Sequence, residues 1–144
     1  MDKLPEVTIT MTVDVNSLES DPVVKNSVNI LDNLNDRDDV PGDSSTFDTV
    51  ADSHSKIYWK AQSMNGVDTI HIDLIYINKG QPDPFQDPPG ELVDGSGEWF
   101  AIAKDVGYYQ DIDSEYSIRF YVNGNHKKKY TIDPKLQIRK KLNS

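Results

Sequence analysis

The sequence predicts an all-β fold, a single antiparallel β-sandwich of eight or nine short strands. Residues 7–15, VTITMTVDV, alternate strictly between apolar and polar side chains, which is typical of a strand with one buried face. Further short runs rich in Ile, Val, Tyr and Phe are separated by Gly, Pro and Asn, and stretches with helical spacing are few. These features favour two stacked sheets with Greek-key, jelly-roll or immunoglobulin-like connections.

The chain has 144 residues, of which 36% are hydrophobic. This is enough for one core, so residues 1–144 are predicted to form a single domain. One helical turn is expected at residues 106–113. The strands are expected at residues 7–15, 27–31, 46–50, 55–60, 68–77, 98–103, 116–122, 129–132 and 136–139.

Alternation within two of these strands predicts where their side chains point. In residues 55–60, SKIYWK, we expect Ile57 and Trp59 in the core and Tyr58 towards solvent or a partner. In residues 68–77, DTIHIDLIYI, strict alternation predicts two faces. One face carries Ile70, Ile72, Leu74 and Tyr76, and the other carries His71, Asp73, Ile75 and Ile77.

Two long segments are expected to be irregular loops. Residues 32–46 are acidic, and residues 78–97 contain four Pro and four Gly, which remove hydrogen-bond donors and break strand periodicity. Loops of that length usually have a function in compact domains, so residues 78–97 are interpreted as a lid, a docking surface or a mobile segment, with Phe85 as a candidate partner contact. Asn65-Gly66 and Asn123-Gly124 predict turns.

The acidic segment raises the question of calcium binding. Residues 32–43, DNLNDRDDVPGD, hold five carboxylates in twelve positions. They do not match the EF-hand register, which needs a Gly at the sixth position and a Glu at the twelfth. We therefore expect a solvated loop and no cofactor. The alternative is a looser Ca²⁺ site with the ligands Asp36, Asp38, Asp39 and Asp43.

The distribution of charge suggests a molecule with two unlike ends. The net charge of −9 opposes nucleic-acid binding, which needs a basic face. Residues 32–52 hold seven Asp and one Arg, whereas residues 126–141 hold seven basic residues and one Asp. Copies could therefore attract one another through Lys127, Lys128 and Lys129, unless both segments are simply solvated.

Several classes of site are excluded by composition. The chain has no cysteine, which excludes disulfides, zinc-thiolate sites and thiol nucleophiles. It has no run of about 18 apolar residues that could span a membrane. Its first residues, MDKLPEV, do not resemble a secretory signal. We expect a cytoplasmic protein, with a trimmed secreted form as the alternative.

Catalytic signatures are not found either. The sequence contains no G-x-S-x-G motif and no Gly-rich phosphate loop before a helix. An enzyme is therefore not favoured, and a hydrolase stays as an alternative that would need convergent polar groups. His71 and Asp73 could point the same way on a strand, but two ligands do not make a metal site. The aromatic residues could instead form a sugar-stacking platform.

Scattered stretches along most of the chain resemble the bacterial inclusion-body protein family of the AidA/PixA type. They are VTITMTVDV, SHSKIYWKAQSMNG, LIYINK, YSIRFYVNG and YTIDPKLQIR. The chain departs from the family where Ile132, rather than an aromatic residue, precedes Asp133-Pro134. The resemblance implies a compact β-sandwich made in the bacterial cytoplasm and able to self-associate, and it carries over no catalytic residue.

These observations predict a non-enzymatic protein that acts through its surface, by self-association or by docking another protein. The residues expected to contact the partner are Phe85, Tyr58, Lys127, Lys128 and Lys129. The alternatives are a calcium- or carbohydrate-binding module and a hydrolase.

Overall fold

The structure is a computed structural model that describes residues 6–33 and 48–140. Within these ranges, helix α1 spans Val15–Ser20 and a 3₁₀ turn spans Val24–Ser27. No helix there is long and apolar enough to cross a membrane. The strands are β1 (Glu6–Val13), β2 (Val28–Asp32), β3 (Asp48–Asp52), β4 (Lys56–Ser63), β5 (Ile70–Ile77), β6 (Gly90–Glu91), β7 (Trp99–Ile102), β8 (Ile112–Val122), β9 (Tyr130–Ile132) and β10 (Lys135–Arg139).

The strands form two sheets that pack as a sandwich, which confirms the predicted all-β class. Sheet A has the order β2-β1-β4-β7-β6, and sheet B has the order β3-β10-β8-β5, with β9 also paired to β8. β1 with β4 and β3 with β10 are parallel pairs, and the others are antiparallel. The sheets are therefore mixed and not purely antiparallel as predicted. Alternation could not reveal this, because it reports which face a strand buries but not the direction of the neighbouring strand.

β1 follows the predicted alternation and ends two residues earlier than expected. The Asp14 side chain accepts a hydrogen bond from the Ser17 backbone N–H (3.2 Å) and caps α1, so Val15 lies in the helix. Where one helical turn is expected, at residues 106–113, the chain makes a turn at residues 107–109 that is not a helix, and β8 begins at Ile112. The buried side chains of β1 are Val7, Ile9, Met11 and Val13.

β5 contains an irregularity that simple alternation did not predict. Its pairing with β8 shifts register between Ile72 and Leu74, as in a β-bulge. As a result Ile72 and Ile75, three residues apart, are both buried, whereas Tyr76 is exposed. The two predicted faces are therefore correct before Asp73 and exchanged after it.

β9 and β10 continue one another along β8. Ile132 pairs with Ile118 and Leu136 pairs with Ser114, in the same antiparallel register. Between them Pro134, which has no N–H to donate, still accepts a hydrogen bond from Tyr116 N (3.1 Å). Asp133-Pro134 thus interrupts one extended segment without reversing it.

Residues 78–97 are more ordered than the prediction of an irregular loop allowed. They contain β6, and Phe85 forms an isolated bridge with Ala103. The Phe85 side chain is only 1% exposed, and its ring meets Trp59 and Tyr116 edge-on. The prediction that Phe85 contacts a partner is therefore wrong, because the side chain belongs to the hydrophobic core.

The two ends of the sandwich hold different connections between strands. We call the end that holds α1 and the connections at residues 64–69, 92–98 and 123–129 the hairpin end. The connections at residues 53–55, 78–89 and 103–111 lie at the opposite end. β2 ends at Asp32, which pairs with Ile9 in the middle of β1, and β3 begins at Asp48, which pairs with Lys135. The acidic segment therefore leaves and rejoins the described chain at the edge strands β2 and β3, between the two ends.

Candidate functional site

The structure does not gather the predicted contact residues into one surface. Tyr58 is half-buried on the outer side of sheet A, where its ring lies 5.2 Å from that of Phe100. Lys127, Lys128 and Lys129 are exposed on the connection between β8 and β9, in sheet B. Tyr58 and the three lysines therefore belong to different sheets, and Phe85 lies in the core.

The proposed calcium ligands Asp36, Asp38, Asp39 and Asp43 lie outside the described residues, so that hypothesis stays a prediction. Among residues 6–33 and 48–140, no three His, Asp or Glu side chains are grouped closely enough to hold a metal ion. His71 and Asp73, which alternation placed on one face, bind different partners.

A cleft of 690 Å³ opens at the hairpin end. Four segments build it: the end of β4, the 64–69 connection with the first residues of β5, the loop near Gly95, and the end of β8. The volume lies within the range of about 300–1,000 Å³ typical of small-molecule sites. The polar residues that line it are Gln62, Ser63, Asp68, Thr69, His71, Ser96 and Tyr121.

One wall of the cleft is held by a network of three side chains. The Asn65 and Asn123 amides donate to the two oxygens of the Asp68 carboxylate, at 2.7 and 2.8 Å. The Asn123 carbonyl oxygen in turn accepts from the Thr69 backbone N–H at 2.8 Å. The hydrogen bonds from Asn123 and Asn65 lower the pKa of Asp68. The wall therefore presents an ionised carboxylate at neutral pH.

The two turns predicted at Asn-Gly pairs supply this network. Asn123 and Gly124 both have positive φ, 51° and 72°, which suits the tight turn between β8 and β9. The turn near Gly66 (φ 71°) instead carries the chain from sheet A to sheet B, since β4 and β5 do not pair with each other. The turns could be predicted from the sequence, but their meeting across Asp68 could not.

His71 forms the other wall, within a stack of aromatic rings. The His71 ring stacks on the Tyr121 ring at 4.7 Å, and the His126 ring lies 4.3 Å from the same Tyr121 ring. The His71 Nε2 atom is 3.4 Å from Glu91 Oε2. Burial, with the negative charges of Asp73 and Glu91, raises the pKa of the Tyr121 hydroxyl.

The loop after β6 wraps round the edge of β5 and fixes the position of Glu91. The backbone N–H groups of Gly95 and Gly97 donate to the Glu91 carboxylate at 3.0 and 2.7 Å and hold its pKa below the ordinary value. Gly97 has φ +75°, and a Cβ there would meet His71 Nδ1 at 3.0 Å. Only glycine allows this close approach. Beside it, the Trp99 indole N–H donates to the Ile72 carbonyl at 3.0 Å.

The bulge in β5 presents Asp73 to two cations. Arg119 Nε and Lys129 Nζ lie 2.6 and 3.2 Å from Asp73 Oδ2. Partial burial of the Asp73 carboxyl favours its neutral form, but the hydrogen bonds and charges of Arg119 and Lys129 outweigh that effect and leave the pKa below the ordinary value. Lys129 is therefore already engaged within the fold.

We expect Asp73→Asn to lower the free energy of unfolding by about 1–2 kcal/mol at pH 7, because it weakens two charge-assisted contacts that are partly open to water. Since the pKa of Asp73 is depressed in the folded state, this stabilisation is present above about pH 4 and is lost as the pH falls through the folded pKa. Urea unfolding at pH 7 and pH 3 should show that the difference in unfolding free energy between wild type and variant becomes smaller at pH 3. Asp113→Asn, at an exposed position of β8, is the control. An unchanged difference at pH 3 would contradict the ion-pair role.

The basic segment at residues 126–141 does not form one patch. Lys127 and Lys128 form no ion pair with a described residue, and Lys128 Nζ lies 5.5 Å from the centre of the Tyr130 ring. At the opposite end of the sandwich, Arg139 Nη2 pairs with Asp52 at 3.0 Å, and Lys140 N donates to Asp111 at 2.8 Å. Lys127 and Lys128 thus lie, unpaired by described residues, on the connection between β8 and β9 (residues 123–129), which we call the hairpin tip.

This architecture defines the class of the fold: a β-sandwich of two mixed sheets. A crystal structure of the inclusion body protein PixA from Burkholderia cenocepacia J2315 matches this chain with a TM-score of 0.66. The match has 12% sequence identity and covers 97% of this chain and 98% of that chain. At this identity the match shows a shared fold, which confirms the resemblance at that level. No family model and no curated protein match the chain.

Proposed function

We propose that the protein self-associates head to tail, with the hairpin tip of one copy against the acidic segment, residues 32–52, of the next. The observation that carries the proposal is the position of Lys127 and Lys128, exposed at the hairpin end and not ion-paired with any described residue. Residues 32–52, with seven Asp and one Arg, join the fold on the edge strands β2 and β3, away from the hairpin tip. Unlike charges on separate surfaces favour a contact between different surfaces of the two copies.

Such a contact leads to open-ended assembly. When two different surfaces of one molecule bind each other, every added copy presents the same free surfaces again, and growth continues unless the rotation closes a ring. The matching crystal structure is named an inclusion body protein, and that name supports the proposal. The net charge of −9 opposes close approach in general, so assembly requires local attraction between unlike surfaces.

Edge-to-edge pairing through β5 is a less suitable route to assembly. The loop that carries Glu91 and Gly97 wraps this edge, and the bulge at Asp73 distorts the strand. The Ile72 carbonyl already accepts a hydrogen bond from the Trp99 indole N–H. Natural sheets use such covers and bulges to prevent addition of another strand. This supports the hairpin tip and the acidic segment, rather than the β5 edge, as the surfaces of association.

We expect the double variant Lys127→Glu/Lys128→Glu to weaken self-association roughly tenfold, since each exposed pair contributes about 0.2–1 kcal/mol and reversal adds repulsion. Sedimentation velocity should show smaller species for the variant at equal protein concentration. The assemblies of the wild type should also dissociate as the salt concentration rises from about 0.1 M to 0.5 M, because the distance over which exposed charges interact shortens to a few ångströms.

Lys79→Glu/Lys135→Glu is the matched control. It carries the same net charge as the first variant, but its lysines are exposed at the opposite end of the sandwich. It should therefore assemble at least as well as the wild type. A wild type that stays monomeric at high concentration and low salt, or equal effects of the two double variants, would refute the proposed head-to-tail association.

A further inference from the structure

The cleft at the hairpin end plays no part in the proposed assembly, and its lining has chemistry of its own. Apolar groups are provided by Ala61 and Ile70, and the polar residues stand around them. Sugars need this combination, because their C–H faces pack on apolar side chains while their hydroxyls require donors and acceptors.

The polar groups of the cleft retain capacity for a ligand. Gln62 uses its amide N–H₂ to bind Thr12 Oγ1 at 3.2 Å, and its carbonyl oxygen appears in no described hydrogen bond. Each Asp68 oxygen accepts one amide and has a second lone pair. The Ser96 hydroxyl accepts from Glu98 N at 3.2 Å and keeps its own proton to donate. Adjacent hydroxyls of one ligand could therefore be bound from two sides.

The charges in and around the cleft select against ionic ligands. No Lys or Arg lines it, and Asp68 is ionised, so phosphates and other anions would meet repulsion without compensation. A cationic ligand would be attracted by Asp68 but repelled by Lys128, which lines the adjoining recess together with Asn123 and Glu19. A neutral, hydroxyl-rich ligand avoids both penalties.

The walls are also held in place before any ligand binds. Asn65 Oδ1 accepts from Ser63 Oγ and from the backbone N–H groups of Val67 and Asp68, at 2.9, 2.8 and 3.1 Å. The second wall is fixed by the stack of His71 on Tyr121 and by the contact of His71 with Glu91. Such preorganisation lowers the entropy cost of binding.

We propose that this cleft binds a neutral saccharide, with Asp68, Gln62 and Ser96 recognising its hydroxyls and Ile70 packing against its ring. None of these residues is among Asp36, Asp38, Asp39 and Asp43, which the sequence suggested as ligands. It lies on the side of the hairpin that faces β4 and β5, so binding does not require the self-association proposed above.

The proposal can be tested by nuclear magnetic resonance of the ¹⁵N-labelled protein. The probes are the methyl glycosides of glucose, galactose, mannose and N-acetylglucosamine, added to about 50 mM, because a single saccharide unit is expected to bind with a Kd on the order of 1 mM. We expect at least one probe to shift the amide signals of Gly66, Thr69, Gly95 and Ser96 in a saturable manner. Inorganic phosphate and spermidine, used in the same way, should not shift them.

Two variants connect the binding to the lining residues. Gln62→Ala and Asp68→Asn should each raise the Kd about fivefold to tenfold, the effect of one lost hydrogen bond. Gln86→Ala and Asp113→Asn, at exposed positions of the opposite end, should leave it unchanged. The spectra without ligand show whether each variant is folded. The proposal is overturned if none of the four glycosides shifts the cleft signals, if phosphate or spermidine does so instead, or if Gln62→Ala binds as the wild type does.

Discussion

Replacing Phe85 with alanine is expected to lower the free energy of unfolding by about 3–5 kcal/mol, the usual cost of removing a buried aromatic ring. The side chain is 1% exposed, and its ring centre lies 5.8 Å from that of Trp59 and 6.5 Å from that of Tyr116. Removing the ring leaves a cavity beside two large groups that are held by their own strands. The melting temperature should fall by on the order of 10 °C.

Val93→Ala is the matched control for this measurement. Val93 lies in the same Pro- and Gly-rich segment but is 67% exposed, so its truncation should change the stability by no more than about 0.5 kcal/mol. Urea unfolding of both variants followed by tryptophan fluorescence compares them directly. Equal, small effects would mean that Phe85 is not part of the core and would restore the interpretation of residues 78–97 as a docking loop.

Phe85 shows where reasoning from local sequence stops. Its neighbours are Pro, Asp and Gln, so no periodicity marks it as buried. Its burial comes from contacts across the chain: Phe85 bridges Ala103, Lys104 N donates to the Pro84 carbonyl at 2.8 Å, and Ser114 Oγ donates to the Pro82 carbonyl at 2.6 Å. A segment with few donors of its own is held by donors from β8 and from the residues after β7. Local composition cannot report those partners.

The strands were more predictable than their arrangement. β1 and β8 alternate strongly, and their buried faces follow directly from the sequence. The bulge at Asp73 was not predictable, because the run IHIDLIYI is compatible with alternation throughout, and the shift depends on the pairing of β5 with β8. The parallel pairing of β1 with β4 likewise depends on which strands meet after folding.

The candidate cleft was predictable only in its parts. The sequence predicts turns at Asn65-Gly66 and Asn123-Gly124, and it places His71 on a strand on the same face as Asp73. Their convergence requires residues 58 positions apart, Asn65 and Asn123, to bind the same Asp68 carboxylate. Glu91 also reaches His71 only because Gly97 allows a close approach. Such long-range contacts define the site, and a single sequence contains no signal for them.

Trp59→Ala is expected to destabilise the fold at least as much as Phe85→Ala, by about 4–5 kcal/mol. Trp59 is 1% exposed, contacts Phe85 and Tyr116 edge-on, and donates its indole N–H to Tyr116 Oη at 3.1 Å. Its removal therefore deletes a large apolar surface and leaves the Tyr116 hydroxyl without that donor. Trp59→Phe should cost less, about 1–3 kcal/mol, because the ring is retained in part while the hydrogen bond is lost.

Tyr58→Ala is the control, since Tyr58 is the preceding residue of the same strand and points to the other side of sheet A. Its ring lies half-buried against Phe100, so truncation should cost only about 1 kcal/mol. Equilibrium urea unfolding monitored by circular dichroism gives both values. Tyr58 and Trp59 are neighbours on one strand, so the difference between their losses of unfolding free energy shows which side of β4 faces the core. A larger loss for Tyr58→Ala than for Trp59→Ala would place the core on the other face of sheet A, where the sandwich could not be packed as described.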